Sequence, residues 1–452
     1  MRFFPKHCFV FPVILRVPPC YSFDVKENFR YFDSASTTTL PLMKSTKPTI
    51  VVLGSGFGGY SFLRTIKTDL FNVVAVSPRN HFLFTPLLPS TTVGTIEFRS
   101  IIESIRVACP EVTFYQASAR SVDSERSVIT CEGAPGRQPF ELPYDILIIT
   151  VGAKSNTFGI EGVQEHALFL KEVSDARAIR QRIIECFEQA AQPTTSPEER
   201  RKLLHFVVVG GGPTGVEFAA EMYDFLDEDL RKSYPRLAGE VSITLLEAGG
   251  QILNTFDEEL SAYTLRLFQR QRINVRTGSL VTRLERDAII LKGGETIPYG
   301  LVVWSTGIGP TEFTATQLFP RDHGKIITDG FFLVKGFQNM YALGDCATIE
   351  GNPLPATSQV AQQEGYYLGR TLNRKQRGKP LQPFRYRHYG MLAYVGSGRA
   401  LADLTNFKGK GFTTWIFWRS AYITKLVSLK NKMLVLFDWF KTFVFGRDIS
   451  RF

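Results

Sequence analysis

Six glycines in two matched sites are the residues whose spacing points most directly to chemistry. TIVVLGSGFGGYSFLRTI begins at Thr49, and HFVVVGGGPTGVEFAAEM begins at His205. Each runs from β-branched residues into G-x-G-x-x-G and on into a helical pattern. The glycines are Gly54, Gly56 and Gly59, then Gly210, Gly212 and Gly215, offset by 156 residues in all three pairs. In such a loop the first glycine permits a tight turn. The second lets a pyrophosphate approach the backbone, and the third lets helix and strand pack closely. Helix N–H groups and the helix dipole then face the phosphates. One such motif is weak evidence. Two in strand–turn–helix context are strong, and the duplication argues against plain glycine turns.

The residues that follow each motif differ. After the second, the strand VSITLLEAGG ends at Glu247. A carboxylate there accepts hydrogen bonds from a ribose 2′-OH and repels a 2′-phosphate, which favours NADH over NADPH. An exposed strand-end residue is the alternative. The separation exceeds the usual ~20 residues, so the intervening AAEMYDFLDEDLRKSYPRLAGE is expected to be an extended helical region. After the first motif, NVVAV ends at Ser77-Pro78-Arg79 with no carboxylate, leaving Ser77 and Arg79 for the adenosine end of a dinucleotide. YDILIITVGAKSN and LVVWSTGIGP are apolar strands ending near Gly152 and Gly307. MYALGDCAT ends at Gly344-Asp345, where Asp345 is placed to bond a ribitol chain or to cap a helix.

At 452 residues the chain has room for two or three domains. With 44% hydrophobic and 21% charged residues it reads as well-packed globular protein. No run of about 20 apolar residues exists, so a spanning helix is not expected. The net charge of +10 suits nucleic acid, an acidic membrane surface or a basic organelle protein. No nucleic-acid motif is present, so no nucleic-acid partner is expected. The cysteines, Cys8, Cys20, Cys109, Cys131, Cys186 and Cys346, form no C-x-x-C pair. Neither a disulfide framework nor a metal site is expected. In residues 1–46, Arg2, Lys6, Arg16, Lys26, Arg30 and Lys44 outnumber Asp24, Glu27 and Asp33, and SASTTT follows. A mitochondrial presequence is the favoured reading. A secretory signal on CFVFPVIL is the rival, shortened by Pro12 and Arg16.

The two glycine motifs, the TVGA and STGI crossings and YALGDCA together resemble the two-dinucleotide-binding flavoprotein superfamily over residues 48–385. The redox cysteine pair of its disulfide reductases is missing, which excludes dithiol exchange. Sulfide:quinone oxidoreductases also rely on cysteines, and none pair here. FLFTPLLP, PATSQVAQQE (from Pro355) and the ending FGRD (from Phe445) are instead similar to type II, single-subunit NADH:quinone oxidoreductases of the fungal mitochondrial kind.

That resemblance implies an α/β fold with two Rossmann-like domains and a C-terminal amphipathic helical membrane-anchoring region. It implies a split FAD-binding domain at 47–165 and 300–385, an NADH-binding domain at 166–299 and a membrane-associating region at 386–452. Non-covalent FAD would meet Gly54, Ser55, Gly56, Gly59, Ser77, Arg79, Thr85, Gly152 and Asp345. NADH would meet Gly210, Gly212, Gly215, Glu247 and Gly307. Gln359 and Gln362 would approach flavin and ubiquinone. Gln362 stands where some mitochondrial members carry histidine. An amide bonds a quinone carbonyl but relays no proton, so another group or water must protonate the reduced quinone. Glu217 would link the two substrate sites; the alternative is a first-turn carboxylate held by the helix dipole.

The implied reaction is NADH + H⁺ + ubiquinone → NAD⁺ + ubiquinol, without proton pumping, iron–sulfur clusters or metal. Its expected place is the inner mitochondrial membrane surface, the matrix side favoured. An apoptosis-inducing-factor-like or ferroptosis-suppressor-like flavoprotein is the alternative, and a soluble ferredoxin or rubredoxin reductase a further rival. Calcium control is not expected, since no D-x-[DN]-x-[DN]-G loop occurs.

The tail must serve that surface. At 100° per residue, Trp415, Trp418, Tyr422, Leu426, Leu429 and Met433 form one apolar stripe, flanked by Arg419, Lys425, Lys430 and Lys432. Such a helix over 415–433 suits a membrane interface. Packing on the protein's own core, or on a second copy in a homodimer, is the competing use. In the following MLVLFDWFKTFVF, Asp438 and Lys441 interrupt the apolar run.

Overall fold

Both glycine motifs sit where a largely buried strand turns into a helix. A computed structural model describes residues 46–405 and 407–450 and the short strand Thr38–Thr39. The presequence expected over 1–46 lies almost wholly outside the described residues. Two five-stranded sheets carry the fold. In chain order their strands are β1 (Thr49–Leu53), β2 (Asn72–Ser77), β3 (Thr113–Gln116), β4 (Ile146–Ile149), β5 (Leu168–Phe169), β6 (His205–Val209), β7 (Ser242–Leu246), β8 (Ile273–Arg276), β9 (Leu301–Trp304) and β10 (Met340–Ala342). The first sheet runs β10-β4-β1-β2-β3 and the second β5-β9-β6-β7-β8, with every pairing parallel.

Parallel sheets are covered on both faces, so their strands read as continuous apolar runs rather than alternating ones. TIVVL of β1 is buried at all five positions. The glycine motif β1 feeds opens helix α1 (Phe57–Leu63), and that of β6 opens α2 (Pro213–Phe225). Beyond α2 the backbone continues as a π-helical turn, Leu226–Leu230, and a short helix, Arg231–Ser233. This is the extension expected from the long gap to Glu247.

A 19-residue helix, α3 (Ser358–Gln376), is capped by Thr357, whose hydroxyl accepts the Val360 N–H at 3.3 Å. It packs hard on α1. A Cβ on Gly365 would lie 2.1 Å from the Gly58 carbonyl oxygen. That contact fixes where α3 presents its glutamines.

The C-terminal region is an antiparallel sheet, β11 (Met391–Gly396), β12 (Arg399–Leu404) and β13 (Phe407–Gly411), then helices α4 (Phe412–Lys425) and α5 (Leu429–Phe445). Here the structure corrects the sequence reading. No single helix covers 415–433, because the chain breaks between Lys425 and Leu429, and Ser428 caps the new helix by accepting the Asn431 N–H. Trp418 and Leu426, from the middle of the expected membrane stripe, are 3% exposed and belong to the protein core. The exposed apolar residues are Phe412, Ile416 and Phe417 of α4, and, with Leu429 and Met433 of the expected stripe, Leu436, Phe437, Phe440, Phe443, Val444 and Phe445 of α5. Asp438 does not interrupt that face. It is buried, accepting the Glu97 N–H at 3.0 Å and the Ser100 hydroxyl. Lys441 likewise turns in to Glu97, at 2.6 Å.

Arg447 of the FGRD ending ties the tail to the helix after the second motif. Its Nη1 lies 2.7 Å from both Glu228 and Asp229, and its Nε donates to Thr95 at 3.0 Å. No described helix is long and apolar enough to cross a membrane.

Candidate active site

The glycines take the three positions their spacing implies. Gly54 and Gly210 have φ of +104° and +114°, a conformation a side chain resists. A Cβ on Gly59 would fall 2.2 Å from the Gly54 oxygen, and one on Gly215 2.0 Å from the Gly210 oxygen. A Cβ on Gly56 or Gly212 would meet nothing within 4 Å. The third glycines are therefore spent on packing, and the second ones face open space of the kind a pyrophosphate needs.

One cavity of about 1550 Å³ joins the two nucleotide units. Ordinary ligand pockets run to ~300–1,000 Å³, so this one has room for more than a single small ligand. On the first-motif side it is lined by Gly54, Ser55, Gly56, Ser77, Arg79, Thr85, Gly152 and Asp345. From the second unit come Glu217 and Gly307, and from α3 Gln359 and Gln362. Gly59, Gly210, Gly212, Gly215 and Glu247 are not among its lining residues. Glu247 nevertheless stands at the second motif, accepting the Gly211 and Gly249 N–H groups at 2.6 Å each.

Several expected contacts are already partly engaged. The Ser77 hydroxyl is buried and 2.9 Å from the Ser55 hydroxyl, so this pair clamps the first loop to the end of β2. Arg79 pairs with Glu172 at 2.6 Å and donates Nε to the His81 carbonyl. Gln359 accepts the Tyr386 hydroxyl at 2.8 Å and the Tyr389 N–H at 3.0 Å, and donates to the Gly390 carbonyl at 3.3 Å. One of its N–H bonds remains. The Gln362 side chain is exposed to the cavity and has no partner among the described residues.

The electrostatics centre on buried carboxyls. Burial pushes Glu217 up to about 8, although the Tyr394 N–H bonds its carboxylate at 3.1 Å. One and two turns further along α2 lie Glu221 and Asp224. Glu221 accepts the Ser90 and Thr95 hydroxyls at 2.6 and 2.9 Å. Burial pushes Asp224 up to about 7 against bonds from Tyr394 and Ser397. Under Asp345, Glu364 accepts the Gly344 N–H at 2.6 Å, and burial raises it to about 7.

Sequence reasoning missed several lining residues: Lys171, Glu172, Tyr386, His388, Tyr422 and Lys425. Burial lowers the Lys171 ammonium, and the Asp345 charge partly restores it. No motif marks these positions. They come from a linker, a loop and the tail, and only the packing brings them to the cavity.

Two nucleotide-binding sheets opening on one cavity, with a carboxyl and two amides at their junction, define a flavin-dependent pyridine nucleotide oxidoreductase. Residues 48–365 match the family described as pyridine nucleotide-disulphide oxidoreductase, and residues 388–448 match the NDH2 C-terminal domain. A probable NADH dehydrogenase of Dictyostelium discoideum is 47% identical, over 89% of this chain and 91% of its own. An internal alternative NAD(P)H-ubiquinone oxidoreductase of Solanum tuberosum mitochondria is 42% identical, over 90% and 88%. The solved structure of NDH2 from Plasmodium falciparum in complex with NADH superposes with a TM-score of 0.86 at 30% identity, over 90% of this chain and all of that one. The chain belongs to the type II NADH dehydrogenase family. The apoptosis-inducing-factor-like alternative is not favoured by these matches.

Proposed function

We propose that this chain oxidises NADH, with FAD as the hydride acceptor, and reduces ubiquinone at a mitochondrial membrane surface. The observation that carries this is the shared cavity. Its wall includes both nucleotide units, the glutamines of α3 and the inner side of α4, through Phe417, Ala421, Tyr422 and Lys425. A helix whose outer side is apolar thus forms part of the chamber in which the quinone must react.

Bound here, FAD would supply the hydride-accepting and electron-donating chemistry. The residues that would hold it are the Gly54–Gly59 loop, Ser55, Ser77, Arg79, Thr85, Gly152 and Asp345. The open faces of Gly56 and Gly212 fit two pyrophosphates. Gly210, Gly212, Gly215, Glu247 and Gly307 would hold NADH, and the Glu247 carboxylate would repel a 2′-phosphate. Glu217, held largely neutral at pH 7 by burial, adds no full negative charge where the two substrates meet. Gln362 offers an unpartnered amide to a quinone carbonyl. Gln359 chiefly holds the 386–390 loop and has one donor to spare.

As proposed limits, 47–165 with 300–385 serve FAD, 166–299 NADH and 386–452 the membrane, except that β9 (Leu301–Trp304) pairs with β6 in the second sheet, so the NADH unit runs on to Trp304. The exposed face of α4 and α5 would lie in the lipid interface, with homodimer contact as its second use. Aromatic and aliphatic side chains there, together with lysines such as Lys425 and Lys432, have the chemistry of an interfacial helix. Light scattering in detergent tests the dimer. The matrix side is proposed, and protease protection in intact mitochondria tests it.

The decisive experiment follows the flavin spectrum of the purified protein under anaerobic conditions. NADH but not NADPH should bleach it, and a ubiquinone analogue should restore it. Bleaching without recovery would rule out quinone as the acceptor.

A further inference from the structure

Quinol carries two hydrogens. The hydride from NADH accounts for both electrons and one hydrogen, so the second hydrogen must reach the quinone oxygen as a proton. The amides of α3 cannot supply it. Among the cavity residues around those amides, the ionisable groups are Glu217 of α2, Tyr386, His388 and Tyr389 from one loop, and Tyr422 and Lys425 from α4. The imidazole is the only one of these side-chain types that ordinarily changes charge near neutral pH.

The hydrogen bonds around His388 settle which of its nitrogens is available. The Gln359 amide is oriented by backbone groups at both ends: its oxygen accepts the Tyr389 N–H and its nitrogen donates to the Gly390 carbonyl. Tyr386 must therefore donate its hydroxyl proton to the Gln359 oxygen, at 2.8 Å. Toward His388 the Tyr386 oxygen can only accept, so Nδ1, 3.1 Å away, carries a hydrogen. No described residue bonds Nε2. The side chain lines the cavity and is exposed to solvent.

We propose that His388 donates the proton that completes the quinol. The proposal rests on the quinone site proposed above. In the step, the Nε2–H bond of the imidazolium breaks and an O–H bond forms on the quinone oxygen. The N–H electron pair stays on Nε2, and solvent water returns a proton to it. Tyr386 and Gln359 are positioning residues that hold the ring's other face. The charged residues beside this loop include Arg385 and Arg387 within it, Lys425 from α4, whose ammonium lies 5.3 Å from the Tyr389 ring centre, and Asp403 of β12, opposite Met391 in the sheet. The neighbouring α3 residues Gln359, Gln362 and Gln363 are neutral.

The test uses the full-length FAD-loaded protein and His388→Asn. The asparagine amide can replace Nδ1–H in bonding Tyr386, and it removes Nε2. Reoxidation of the NADH-reduced protein by a water-soluble ubiquinone analogue is followed from pH 5.5 to 9. We expect a wild-type rate that falls as pH rises across that range. In the variant we expect a rate at least about tenfold lower at pH 7, without that limb. Affinity for a non-reducible quinone analogue, read by tryptophan quenching, should be unchanged. Reoxidation by ferricyanide, which takes no proton, should be unchanged too. A variant that keeps the wild-type rate and limb overturns the proposal. So does an equal slowing with quinone and ferricyanide, which would mark a structural role. A wild type that ferricyanide reoxidises but quinone does not overturns the quinone site itself.

Discussion

Glu217, in the first turns of the helix that follows the second glycine motif, accepts the backbone N–H of Tyr394 at 3.1 Å across 177 residues. The nucleotide unit and the C-terminal sheet therefore meet at a buried carboxyl that also lines the cavity. Because burial raises this group from 4.5 to about 8, the native protein holds a proton there that the unfolded chain gives up. Its contribution to stability is fully present below pH 4.5 and is lost as pH rises to about 8. Glu217→Gln should remove that dependence. Relative to wild type the variant should gain stability between pH 5 and 8.5, by at most about 1.4 kcal/mol for each pH unit. Urea unfolding at pH 5, 6.5 and 8.5 measures the difference; a constant difference across that range would refute the expectation.

The same substitution at two glycines of one motif should have opposite consequences. Gly212 has φ −72°, and a Cβ there points into open space, so Gly212→Ala should fold normally and bind NADH much more weakly. Gly215→Ala drives a Cβ to 2.0 Å from the Gly210 oxygen. It should destabilise the protein by about 1–3 kcal/mol. Thermal unfolding and NADH titration on both variants separate the two effects.

Arg447 closes the tail onto Glu228 and Asp229 with only 6% of its side chain exposed. Removing one partner of a buried ion pair costs about 3–5 kcal/mol. Arg447→Ala should thus loosen α5 and expose it to protease well before the nucleotide sheets. Equal protection of the tail in variant and wild type would show that the pair is dispensable.

Phe437 and Phe440 are each 62% exposed on α5 and lie outside the cavity lining. Burying a phenylalanine side chain is worth about 1.5–3 kcal/mol. Phe437→Ser/Phe440→Ser should weaken co-sedimentation with lipid vesicles by at least about tenfold. Turnover with a water-soluble quinone analogue should stay the same.

The nucleotide units were legible in the linear sequence because their information is local. A strand buried on both faces must be apolar, and a turn that admits a phosphate must place glycines at fixed offsets. Gly54, Gly56 and Gly59 could be assigned their separate tasks from spacing alone, and so could Gly210, Gly212 and Gly215. Helical periodicity in the tail was also real. Period, however, defines a face without saying which side the core lies on. Trp418 and Leu426 turned inward, while Leu429 and Met433 stayed exposed and Phe437 and Phe440 joined them.

The charge of Asp438 made α5 look interrupted until the 97–100 segment supplied its buried donors. The constellation proposed for the quinone is non-local in the same way. Gln359 meets Tyr386 and Tyr389 across a loop, His388 hangs on Tyr386, and α4 closes the wall. Each side chain there is ordinary in sequence. Their shared role comes from the packing of α3 on α1 and of the tail on the second nucleotide unit, a product of buried area summed over the whole fold. Sequence spacing thus determined the glycine loops of the two nucleotide units, and tertiary packing decided which side chains line the cavity proposed for the quinone.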